Sequence, residues 1–206
     1  MRTFTIIWLG QLVSTIGTYM TEFALTLWAW QVTGSATALA LVSFFGQLPR
    51  IPITLFAGLL VDRLNRKHLM MLGDSIAALS TIAIGLLYLT ETLQIWHLYL
   101  AATLNGGFGQ IQRLAYQTSV TMIVPRQHYT RANSMDSAVH YGPAIIAPAL
   151  AGLLFPLIGL SGIVVIDLAT FGIAITTLLV VTIPQPPAPT QSQPESLLDQ
   201  LTFGFR

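Results

Sequence analysis

Glu22, Arg50, Asp74, Arg113, Asp136, His140 and Asp167 all stand inside long apolar runs of this sequence. An ionisable group near the middle of a bilayer costs about 2.5–3.5 kcal/mol to insert, so each must meet a partner, a proton, water or a polar solute. Ser43, Gln47, Arg50 and Thr54 are spaced 4, 3 and 4 apart and so share one face of a helix; Gln11, Thr15, Thr18 and Glu22 repeat that spacing earlier in the chain. Two polar stripes on apolar helices imply a shared wet surface, and a central cavity is the simplest one. Glu22, Gln47 and Arg50 then line a path for substrate or protons, joined by Asn105, Gln112, Arg113 and Tyr116 of a later helix. Glu22 reads equally as a coupling carboxylate or cation contact and as a structural partner of Arg50. Asp74 and Arg113 lie at similar depth, which suggests a structural or gating pair. Asp136 and His140 are four apart and can meet; a proton relay and a cluster snorkelling to the membrane edge both fit, the second better. Asp167 is expected to cap or pair locally.

Other chemistries lack their residues. The chain has no Cys, which removes disulfides and thiolate sites, and His68, His97 and His128 show no metal-ligand spacing. The run NGGFG, Asn105 to Gly109, has no Walker pattern after it and falls inside an apolar helix, where its glycines allow close packing. No Ser-His-Asp or paired-acid arrangement stands at a water interface, so no enzyme, metal or cofactor is expected. A net charge of +1 gives no reason to expect a nucleic-acid partner.

The elements that position these residues must be membrane helices. Of the 206 residues, 53% are hydrophobic and 8% charged, against about a quarter charged in soluble domains. Mean hydropathy is +0.69. Six stretches reach the roughly 20 residues that cross a bilayer: 4–30, 38–61, 68–89, 97–118, 132–156 and 162–183. The first runs too far to be a signal-peptide core and reads as a retained span. The connections QVTGSATA, TETLQIWH and PLIGLSG contain no Lys or Arg, whereas Arg2, Arg63, Arg66, Lys67, Arg126, Arg131 and Arg206, seven of the nine bases, fall on the other side. The positive-inside rule then puts the N-terminus and the C-terminal tail in the cytoplasm, with Trp28, Trp30 and Trp96 at the outer interface. The texture after Thr182, IPQPPAPTQSQPES, cannot continue a helix. The expected organisation is a six-helix bundle over 1–183 and a cytoplasmic Pro-rich linker with the start of a connecting helix over 184–206.

Between the second and third spans lies GLLVDRLNRKHLM, Gly58 to Met70. Its bases hold a tight turn on the inner face, and Asn65 can adopt the left-handed conformation such a turn favours. The spacing of Gly58, Asp62, Arg63, Arg66 and Lys67 resembles the signature loop of the major facilitator superfamily, with Asn65 where that family usually has Gly. VPRQHYTRAN, Val124 to Asn133, and VVIDLATF, Val164 to Phe171, are similar to its macrolide and siderophore exporter branch. APALAG, Ala147 to Gly152, resembles an antiporter element that keeps Pro148 and Gly152, with Ala147 and Ala151 for two glycines. Ala102 or Thr103 stands where a helix-four arginine is usual.

This resemblance implies an all-α polytopic membrane protein whose six helices correspond to one half of a twelve-helix fold. It implies a secondary transporter in a bacterial inner (plasma) membrane, exporting amphipathic small molecules in exchange for protons by alternating access. The 58–67 loop would latch its states against a second six-helix half or a second copy of this chain. The alternative is a truncated or accessory six-helix protein that transports nothing by itself.

Overall fold

A computed structural model describes residues 2–181, with the backbone alone for residues 2, 55, 57–60, 62 and 63. The expected 184–206 linker therefore lies outside the described residues, as do the side chains of Asp62 and Arg63 and the surroundings of Gly58.

Among the described residues all regular structure is helical: α1 (Arg2–Thr33), α2 (Ala36–Gln47), α3 (Arg50–Arg63), α4 (Arg66–Leu89), α5 (Ile95–Ile123), a 3-10 turn (Arg126–His128) and α6 (Tyr129–Val180). The stretch expected as one helix over 38–61 is broken between α2 and α3. Pro49 and Pro52 withdraw the N–H groups that the carbonyls of Phe45 and Leu48 would accept. Gly34, at φ 57°, makes the sharp α1–α2 turn. Asn65 does not adopt the left-handed conformation. At φ −65° and ψ 114° it is the N-cap of α4, its side chain accepting from the backbone N–H groups of Lys67 and His68.

Neighbouring side chains give the direction of each crossing. Gln11 meets Asp74 and Phe4 packs in one cluster with Met70, so α4 runs parallel to α1. Arg66 reaches the Thr118 carbonyl while Asp74 reaches Gln112, so α5 runs against α4. Phe45 stacks on Tyr99 and Thr54 meets Gln110, so α2 and α3 run with α5. Along α6, Trp8 donates to the Met135 carbonyl and Phe23 faces Gly152, which runs with α1. Beyond these, Gly17 abuts Asp167 and Gly10 abuts Thr177, which runs against it. The reversal falls at Gly159, at φ 64° and ψ −173°, a conformation that only glycine adopts readily. α6 is thus two crossings, 129–158 and 160–180. With α2 and α3 joined, six crossings alternate in direction.

Three stretches, 36–54, 66–89 and 126–180, are long and apolar enough to span a membrane. The last of them contains both crossings of α6. α1 and α5 have the length, at 32 and 29 residues, but their apolar runs are interrupted by polar residues. Two buried clusters hold the bundle. Phe4, Ile7, Val61, Met70, Tyr116 and Leu178 belong to the cluster at the end carrying the 64–65 turn. Met20, Ala24, Trp28, Ile84, Leu98 and Leu160 belong to the one at the opposite end. Trp28 is therefore a core residue and not an interfacial anchor, whereas Trp30 and Trp96 are exposed. Lipid is as apolar as these clusters, so close packing and interhelical hydrogen bonds carry the association. The tightest approach is α2 on α5, where the Gly46 backbone lies against Gly106.

Candidate functional site

The polar residues of the crossings divide into an interior network and an open face. The network is centred on two carboxylates. Asp74 on α4 accepts from Gln11 of α1 at 3.1 Å and from Gln112 of α5 at 3.2 Å, and Gln112 also donates to the Gln11 side-chain oxygen at 2.8 Å. Asp167 on α6 accepts from Thr81 of α4 at 2.9 Å and from Thr18 of α1 at 3.3 Å. Between the two acids lies a cavity of about 40 Å³ lined by Ser14, Thr18, Asp74 and Asp167 with Ala77, Ala78, Leu168 and Phe171. Two neutral donors to the two oxygens of each acid let both carboxylates sit in the packed interior.

This arrangement corrects two expectations. Asp74 and Arg113 form no ion pair among the described residues, because Gln112 faces α4 and Arg113, one residue on, is exposed. The α1 stripe is also not one wet face. Gln11 is buried, Thr15 donates back to the Gln11 carbonyl and Thr18 is bonded to Asp167. Glu22 alone of the four is exposed.

The open face carries the other candidates. Ser43 and Gln47 of α2 and Arg50 and Thr54 of α3 are all exposed, and so is Arg113. Thr54 donates to the Arg50 carbonyl at 2.6 Å and accepts from the buried Gln110 at 3.0 Å, which fixes this part of α3 on α5. Arg50 lies within electrostatic reach of Glu22, and both Arg50 and Arg113 within reach of Tyr19. Glu22 and Arg50 nevertheless make no ion pair. Among the described residues the one such contact is His140 with Asp136, at 3.7 Å, the i,i+4 meeting that their spacing allows.

Several expected path residues lie elsewhere. Tyr116 is buried in the cluster at the 64–65 end, and among the described residues neither its hydroxyl nor the buried side-chain oxygen of Asn105 has a hydrogen-bond partner. Gln112 belongs to the interior network. Ala147 and Ala151 are fully buried on one side of α6, Gly152 is exposed and Pro148 half-buried. At the start of α4, buried Arg66 donates to the Thr118 carbonyl at 3.3 Å and contacts the Met122 sulfur. Lys67 donates to the carbonyls of Leu179 at 3.2 Å and Val181 at 2.8 Å.

The bonds of Thr18 and Thr81 to Asp167, and that of Gln110 to Thr54, were not foreseen. A signal was present: Gln11 and Thr18 are seven apart, and so are Asp74 and Thr81. Two polar pairs at that spacing mark the facing sides of two parallel helices.

A family model described as the Major Facilitator Superfamily matches residues 7–203. The chain belongs to this superfamily. Macrolide efflux protein A of Streptococcus pyogenes is 27% identical over 98% of the chain and 50% of its own length. The multidrug efflux pump Tap of Mycolicibacterium fortuitum is 29% identical over 85% of the chain and 44% of its own. The enterobactin exporter EntS of Shigella flexneri is 27% identical over 86% of the chain and 41% of its own. The chain therefore spans about half the length of these relatives. As a superfamily member it is a multi-pass, all-α membrane protein corresponding to half of the full fold.

Proposed function

We propose that the chain forms the N-terminal half of a secondary transporter that exports amphipathic small molecules in exchange for protons by alternating access. In this reading the exposed Glu22, Gln47, Arg50 and Arg113 supply this half's wall of the central path. The observation that carries it is the exposure of Glu22 on a helix whose Gln11 and Thr18 are bonded inward, with Arg50 in reach and, among the described residues, no ion pair holding either charge. A carboxylate so placed can take a proton from one side and release it to the other as the path reopens. The export direction and the kind of substrate are supported by the names of the relatives, an efflux protein, an efflux pump and an exporter. The side of the turns is supported by the seven-to-none distribution of bases.

The test is efflux of a lipophilic cationic dye from energised bacteria expressing the complete reading frame, with and without a protonophore. Protonophore-sensitive efflux should fall at least tenfold in Glu22→Gln. Efflux that Glu22→Gln leaves unchanged removes Glu22 from the coupling step. In the same assay Asp62→Asn tests the proposed latch, and its loss of efflux would support one.

A further inference from the structure

The last turn of any helix leaves four carbonyls without intrahelical donors, and it carries the negative end of the helix dipole. At the end of α6 the Lys67 ammonium donates to one of them, at Leu179, and to the carbonyl of the capping residue Val181. Lys67 itself stands in the first turn of α4, where Asn65 caps its backbone N–H. The contact therefore joins the 64–65 turn to the last described residue of the sixth crossing, 112 and 114 positions away in sequence.

We infer that Lys67 is a tether that fixes how the chain leaves the sixth crossing relative to the 64–65 turn, so that the two move as one piece. Val181 has left the helix, at φ −91° and ψ 136°, and its N–H still donates to Thr177 at 3.2 Å. Its carbonyl, the first beyond the helix, is the one Lys67 holds more closely. A pull on the chain beyond Val181 would thus reach the start of α4 through one side chain, without passing along α6. A flexible, strongly hydrated ammonium suits this task, since it can follow two carbonyls through small displacements.

Leu64 and Val180 are both exposed, and the chain contains no Cys. Spin labels at Leu64→Cys and Val180→Cys therefore report their separation in the full chain reconstituted in lipid nanodiscs. One narrow distance distribution is expected with Lys67 and with Lys67→Arg, whose guanidinium can reach the same carbonyls. Lys67→Met should widen it at least twofold, and Lys67→Gln should do so where Lys67→Met yields no folded protein. An unchanged width in either variant overturns the tether. So does failure of Lys67→Arg to fold, which would make Lys67 a packing residue.

Discussion

Thr81 and Thr18 each give a hydroxyl to Asp167, and the two bonds are not equal. The Thr81 bond, at 2.9 Å, is fully buried, while the Thr18 bond, at 3.3 Å, is longer and partly exposed. Interhelical hydrogen bonds in membranes contribute about 0.6 kcal/mol on average and up to about 1.7. Thr81→Val keeps the shape and removes the donor, so it should lower stability by about 1–2 kcal/mol, and Thr18→Val by less, in denaturation from detergent micelles. Equal losses would place the two threonines alike. At this scale the sequence revealed which residues are ionisable but not which neighbours they have. Gln112 and Arg113 are adjacent, and adjacent residues point about 100° apart on a helix. Which of them faces Asp74 depends on the rotation of α5, and that rotation is set by contacts such as Gly106 on Gly46, which no spacing within α5 encodes.

α5 carries three glycines within about one turn, at 106, 107 and 109, and they do different things. A methyl at Gly106 would collide with the Gly46 carbonyl, one at Gly107 would press on Ile53, and one at Gly109 would meet nothing within 4 Å. Gly106→Ala should therefore destabilise the bundle by about 1–3 kcal/mol, the usual cost of overpacking. Gly109→Ala should be neutral or slightly stabilising, through better helix propensity. Thermal unfolding of the two variants side by side checks this, and the reverse order would place the α2–α5 crossing on a different face. The six expected spans, all but the second continuous, were legible because crossing a bilayer sets a minimum apolar length. The break at Pro49 was legible in principle too, since two prolines three residues apart rarely leave a helix straight. The inward turn of the α1 stripe was not legible, because polar residues at helical spacing face water or another helix with the same periodicity.

Across the whole molecule, alternate turns should lie on opposite sides of the membrane. Leu64 and Glu91 are both exposed, in the turns before and after α4. In intact bacteria an impermeant maleimide should label Glu91→Cys and reach Leu64→Cys only after the membrane is opened. Labelling of Leu64→Cys in sealed cells would invert the orientation drawn from the bases. The order in which the crossings are made also bears on the pair of buried acids. A chain inserted from its N-terminus presents Asp74 before Gln112 exists in the bilayer, so half of its hydrogen bonding waits for the next helix. Asp167 is different: Thr18 and Thr81 precede it in sequence, so the sixth crossing enters a membrane that already holds both donors. Its acid is thus received by a finished socket, and the last helix of the unit can dock in a single step during biogenesis, however poorly it would partition alone.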